Sequence, residues 1–396
     1  MIEHLHIKNF KCLLDVEIAL GPFTILIGPN DSGKTSLLDA IQLLGRTTKE
    51  PWDKVFSGGT ALSNCVWRKD LTRCIGWRVS GTTSEGLFAY TLELSPIHPY
   101  PQTEALNVNG QAVFRKEFMH EQVVWRMLLQ GQELNETATA GGTGLRAVVA
   151  ATRRSSPKGL IPLPGLFSTV EAISSTTKYC LDPDAMRAEV PLESYPVLSS
   201  SGANLAAVLD AILSGPDRQA VLGLEQALHE AIQSIRGVAV PVAPSNKNAK
   251  SLHFVLNGKE RPAVTIPATL ASDGAMLLTA FLALAYGNTP SILLIEEPEN
   301  GLHPSRLKLV VELLRKISKG EVGNRPRQVL LTTHSPILLN FAQPEEVRIL
   351  TRDPERGTQV KPMTEVSNIK TLLEEFAPGE LWYLLGEEAL LKEQPA

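Results

Sequence analysis

Gly28-Pro29-Asn30-Asp31-Ser32-Gly33-Lys34-Thr35 fits the pattern G-x-x-x-x-G-K-[ST], preceded by the apolar run Phe23–Ile27 (FTILI) and followed by the helical run SLLDAIQLL that opens at Ser36. Strand, glycine loop and helix in that order make a phosphate-binding loop. The spacing follows from the chemistry. Gly28 and Gly33 let the backbone wrap an anion, so that successive amides and the N-terminus of the next helix point at phosphate oxygens. Lys34 is placed to reach the β- and γ-phosphates of a nucleotide, and Thr35 to hold Mg2+. The whole run from Gly28 to Ser36 is therefore the expected nucleotide-binding segment.

A second stretch answers it near the other end. Ile292–Glu297 (ILLIEE) is a short apolar run closing in two carboxylates, as expected of a buried parallel strand that delivers acids to the edge of a sheet. Glu296 is the expected support for Mg2+, directly or through water, and Glu297 the expected general base for an attacking water.

Composition bounds the rest. A chain of 396 residues exceeds the size at which one core usually stops growing, so more than one lobe is expected. Its 38 basic and 42 acidic residues leave a formal charge of -4, which excludes a whole-molecule drive toward nucleic acid; any DNA contact has to come from a local patch. Cys12, Cys65, Cys74 and Cys180 form neither a C-x-x-C pair nor a zinc-ligand spacing and read as reduced thiols. The opening MIEHLHIKNF has no signal-peptide pattern and the longest near-apolar run, Ala275 to Tyr286, is too short to span a bilayer, so a soluble, cytoplasmic protein is expected.

Along the chain, Ile2–Ile7 and Val16–Leu20 alternate as half-buried strands do, and further strand signals lie at Arg73–Val79 and Leu87–Leu94. His4 and His6 share a strand face but are too few for a metal site. Asn109-Gly110 and Asn257-Gly258 read as hairpin turns. From about Glu117 to Pro244 the pattern turns largely helical, broken by loops at ATAGGTGL and SSPKGLIPLPG. Asn204–Leu213 and Arg218–Ile235 are amphipathic, the second with an apolar stripe through Val221, Leu222, Leu224, Leu228, Ala231, Ile232 and Ile235. Arg153, Arg154 and Lys158 make a small basic loop that reads as a solvated face, with contact to a phosphate backbone as the alternative.

IKNFK, GPNDSGKT, the Ser272-Asp273-Gly274 of LASDGA, LLIEEPENGLHP and LLTTHSP stand in the order seen in ABC-type AAA ATPases, and the chain resembles the RecF, SMC and OLD-like members of that group. KYCLDPDAMR, SSSGANLAAVLDAIL and FAPGELWYLLGE are similar to patterns of stand-alone ATPases of the same group. The resemblance implies an α/β fold: an ABC-type P-loop ATPase head with an antiparallel β lobe and an inserted helical lobe. Its expected divisions are 1–116 for the first part of the head, 117–250 for the helical lobe and 251–396 for the rest of the head.

By the same resemblance Ser272, Asp273 and Gly274 are the signature segment serving the γ-phosphate held by a second subunit. Glu299, Asn300 and Gly301 open the D-loop, which runs to His303, and His334 is the switch histidine. Lys11 is expected near the nucleotide. The chain departs from the group in having Glu296 where many members have Asp, SDG where transporters have SGG, and no placeable Q-loop glutamine. No N-K-x-D motif supports guanine selectivity, and the preference for adenine rests on the resemblance.

The implied activity is Mg2+-dependent ATP binding and hydrolysis by a homodimer with two composite sites. The implied setting is DNA repair or phage defence, with DNA and a separate effector nuclease as partners, since about sixty residues after Pro336 are few for an added nuclease domain. The alternative is a nucleotide-gated interaction module whose output is ATP-dependent dimerisation.

Overall fold

A computed structural model describes residues 1–98, 101–119, 122–129, 132–137, 142–148, 165–191, 193, 196–258, 263–323 and 325–389. The chain divides into two compact units. The first comprises Met1–Thr176 with Arg348–Val366, and the second Thr177–Val347 with Ser367–Leu390.

In the first unit, strands β1 (Ile2–Phe10), β2 (Leu13–Ala19), β4 (Ile75–Thr83), β5 (Gly86–Leu94), β6 (Pro101–Val108), β7 (Gln111–Met119), β8 (Gln122–Leu129) and β9 (Gln132–Thr137) form an eight-stranded sheet in the order β2-β1-β4-β5-β6-β7-β8-β9. Alternation sets its register: Leu5 pairs with Ile18 and Val79, Ile7 with Val16 and Trp77, and Val79 and Trp77 with Tyr90 and Leu92. These side chains form one buried layer, and shifting any strand by one residue would turn its apolar set to solvent. On the opposite face His6 pairs with Asp15 and lies 3.6 Å from Glu17, so it serves the sheet surface. The Asn109-Gly110 turn is as expected, both residues having positive φ (50° and 78°) between β6 and β7.

Helix α1 (Lys34–Thr47) packs its buried stripe of Leu37, Leu38, Ile41 and Leu44 in this unit, and the buried Trp77 indole donates to Ala40 O at 3.1 Å, tying sheet to helix. The remaining strands of the unit are β3 (Phe23–Ile27), buried throughout, and the antiparallel pair β18 (Val347–Asp353) and β19 (Gly357–Pro362). β18 lies beside β3. Helix α2 (Leu166–Ser174) packs on α1. Glu104 of β6 is buried; its carboxylate accepts from the Tyr90 hydroxyl at 2.8 Å and from the amides of Gly144 and Leu145 at 2.7 and 3.1 Å. Burial pushes this carboxyl up to about 7.

In the second unit β10 (Thr176–Tyr179), β16 (Ile292–Glu296) and β17 (Gln328–Thr332) lie side by side, with β16 and β17 parallel and Glu296 opposite Thr332. Small antiparallel pairings, β11 (Val190–Pro191) with β13 (Ala249–Lys250) and β12 (Ile235–Ala239) with β14 (His253–Leu256) and β15 (Thr265–Pro267), lie elsewhere in the unit. At its centre is helix α5 (Asp273–Tyr286), buried from Ala275 to Ala285 and surrounded by α3 (Leu205–Ser214), α4 (Arg218–Ala231) and α6 (Pro304–Lys319). The apolar run that is too short for a bilayer is thus a core helix. No helix among the described residues is long and apolar enough to cross a membrane.

Two expectations are corrected. The described residues between 117 and 137 form strands β7 to β9, not the start of a helical lobe, and β7 runs across the expected boundary at 116. β7 with β8 and β8 with β9 pair in antiparallel register, and this pairing overrides the helix-compatible spacing of the apolar residues. Further on, α4 ends at Ala231, and Ile235 begins β12 instead of continuing the helical stripe. Arg153, Arg154 and Lys158, and the SSPKGLIPLPG loop as far as Pro164, lie outside the described residues.

Candidate nucleotide site

The phosphate loop of the first unit is walled by strands β18 and β19. Gly28 has φ 154°, and a Cβ there would lie 2.1 Å from Leu350 O of β18. Gly33 has φ 104°, and its Cβ would lie 2.3 Å from Thr358 Oγ1 of β19. Only glycine meets both the conformation and the space. Asp31 also takes the left-handed region, with φ 66°. The Thr358 hydroxyl donates to Ser32 O at 2.8 Å, fixing the outer wall of the loop. Pro29 is half-buried, Asn30 and Asp31 are exposed, and Ser32 Oγ is buried without a hydrogen-bond partner.

Lys34, buried at the start of α1, folds back over the loop and donates from Nζ to Gly28 O at 2.6 Å and Pro29 O at 2.8 Å. Helix α1 has no side-chain cap and no acid in its first turn, which leaves its positive end to an anion. Thr35 is exposed at that end, and Ser36 Oγ accepts from the Cys12 thiol at 3.3 Å. Lys11, with φ 50°, pairs with Asp39 of α1 at 2.5 Å and lies over the Phe10 ring. It braces the helix that carries the loop.

The second unit gathers the acids. β16 ends at Glu296, and Glu297 turns the chain with φ 45°, an unusual conformation for a residue with a side chain and one that concentrates at functional sites. The Glu297 carboxylate accepts from Asn300 Nδ2 at 2.8 Å, and its other oxygen lies 3.5 Å from His334 Nε2. Glu299 Oε1 accepts from the Thr333 hydroxyl at 2.7 Å and the His334 amide at 2.9 Å, joining the D-loop to the end of β17, while Glu299 Oε2 is buried without a partner. Glu297, Asn300, Glu299 and His334 therefore lie together at the ends of β16 and β17.

Ser272 caps α5 by accepting from the Ala275 amide at 3.3 Å, and Ser272 and Asp273 are exposed. The two segments run close together: a Cβ on Gly274 would lie 3.9 Å from Gly301 O, and one on Gly301, φ 81°, would lie 3.0 Å from Leu277 Cδ1 and 3.8 Å from Asp273 Cβ.

Sequence reasoning missed two cations. Lys178 of β10 lies 3.3 Å from Glu296 Oε2, with both side chains largely buried, so one oxygen of the expected metal acid is already paired. Arg187 bonds Asp273 at 2.6 Å. Both belong to KYCLDPDAMR, a pattern that marks the segment but not the partners of its basic ends.

Among the described residues no group of three or more His, Cys, Asp or Glu could hold a metal by itself.

Residues 1–74 match the family described as "AAA ATPase domain", and residues 195–340 the family described as "AAA domain, putative AbiEii toxin, Type IV TA system". A stretch of 44 residues is 50% identical to the OLD nuclease of Thermus scotoductus, covering 11% of this chain and 8% of that protein. Another comparison aligns 69 residues at 42% identity with the DNA replication and repair protein RecF of Chloroflexus aggregans, 15% of this chain and 17% of that one. These stretches are small parts of both relatives. Over 91% of this chain and 97% of the other, the fold is similar to an SMC head crystallised with the C-winged helix domain of ScpA, with a TM-score of 0.53 and 13% identity. The fold is that of an SMC-type head, and its matched stretches are similar to AAA-type ATPase domains, which makes the chain similar to the RecF/SMC/OLD-like ATPases.

Proposed function

We propose that the protein binds and hydrolyses Mg·ATP as a homodimer with two composite sites, each using the phosphate loop of one subunit and the signature segment of the other. The observation that carries this reading is the loop geometry, with Lys34 held over a glycine cradle at an uncapped helix end. In the working site the Lys34 ammonium exchanges its carbonyl partners for β- and γ-phosphate oxygens. Mg2+, which Thr35 and Glu296 would hold, would supply charge neutralisation at the phosphates. Glu297, aimed by Asn300, takes a proton from the attacking water. His334, beside Glu297, is placed to sense the γ-phosphate, and Ser272 and Gly274 close the site from the partner subunit.

For the wider role the proposal is DNA repair or phage defence with a separate effector nuclease; the likeness to the DNA replication and repair protein RecF supports the first of these. DNA-stimulated turnover supports that role. ATP-dependent dimerisation without a DNA response supports a nucleotide-gated interaction module instead.

Glu297→Gln keeps the shape of the side chain and removes the base. Turnover should fall about 10²- to 10⁴-fold with ATP binding retained, and light scattering with ATP and Mg2+ should find a trapped dimer. Turnover close to wild type, or monomers only, would count against the reading.

A further inference from the structure

The acid at the middle of the signature poses a physical problem. Asp273 stands in the first turn of α5, where its carboxylate would repel any phosphate that approaches the helix end. Arg187 answers it. Its guanidinium bonds Asp273 Oδ1 at 2.6 Å and, with the same Nη2, Ala271 O at 2.9 Å; Nε reaches Ala268 O at 3.3 Å and Nη1 the Asp184 carboxylate at 2.8 Å. The Arg187 side chain is 16% exposed, against 59% for Asp273 and 93% for Asp184, so Asp184 remains the hydrated partner. The two carbonyls belong to the turn that delivers Ser272 to its capping position.

We infer that Arg187 is a positioning residue for the composite site: it neutralises Asp273 and fixes the backbone leading into Ser272, so that the first turn of α5 can receive the partner subunit's nucleotide phosphate. This rests on the composite-site reading. It also assigns a role to the arginine of KYCLDPDAMR and accounts for an acid standing within a phosphate-facing segment.

The test uses the full chain in the Glu297→Gln background, where dimerisation is read by light scattering with ATP and Mg2+ and primary binding by titration with ATP. Arg187→Met should leave the ATP affinity within about twofold and weaken dimerisation tenfold or more, a defect that shrinks as salt screens the uncovered carboxylate. Adding Asp273→Asn to Arg187→Met should restore most of the dimer, and Asp273→Asn alone should dimerise at least as well as the background. A merely structural arginine would give neither the salt response nor the rescue. Unweakened dimerisation in Arg187→Met, a double variant no better than Arg187→Met, or a dimer lost in Asp273→Asn alone each overturns the inference. If the Glu297→Gln background itself stays monomeric with ATP, the composite-site reading fails and this inference falls with it.

Discussion

Lys34 makes its bonds with Gly28 O and Pro29 O inside the fold, so binding exchanges partners for an ammonium already in place. Replacing it with alanine removes a charge-assisted contact worth about 1.5–3 kcal/mol, or roughly 10- to 150-fold in affinity. A titration with ATP should find that loss, and an unchanged affinity would mean that the loop does not carry the phosphates. Glu296 is a different case. Its pairing with Lys178 leaves the carboxylate partly neutralised, so Mg2+ should be held chiefly by the nucleotide it arrives with.

At the scale of elements, Glu104 links β6 to the backbone at Gly144 and Leu145. Its folded pKa of about 7 stands above the ordinary 4.5, so the folded state binds the proton more tightly than the unfolded chain does. The stability this contributes is fully present below pH 4.5 and is lost as pH rises through 7. Melting curves from pH 4.5 to 8 should fall along this window in the native protein and fall less in Glu104→Gln. An identical slope in the variant would remove Glu104 as the cause.

The contrast between elements explains what sequence could reveal. The phosphate loop and the strand Ile292–Glu296 were legible because their chemistry demands fixed residue types at fixed local spacing. The strands at 122–137 were not, because QVVWRMLL fits a helical period as well as an alternating one and neither connection carries an Asn-Gly signal. Lys178 and Arg187 were invisible for another reason. Their partners, Glu296 and Asp273, lie far along the chain, and only folding brings each pair together.

For the whole molecule the proposed arrangement predicts complementation. Lys34→Ala damages the loop, and Ser272→Arg blocks the surface offered to a partner, so each variant should be inactive alone. Random pairing of the two makes about half the dimers mixed, each with one doubly damaged and one intact site, and restores about a quarter of native activity if the sites act independently. A tagged pull-down establishes that mixed dimers form. Mixed dimers that bind no nucleotide, or normal hydrolysis by Ser272→Arg alone, would reduce Ser272 to the helix cap it also provides.

The walls of the phosphate loop give it a biosynthetic timetable. Thr358, which anchors Ser32 O, is joined to the chain 326 positions later, and Leu350 of β18 only shortly before it. At translation rates of about 5–20 residues per second, the loop waits on the order of 15–65 s for its support. Throughout that interval the growing chain carries the nucleotide motif without the backbone that shapes it, so competence for ATP arrives late and abruptly. Nascent chains stalled at successive lengths should be retained on immobilised ATP only after Thr358 has emerged from the ribosome; retention of chains stalled before Leu350 would show that the loop closes without these strands.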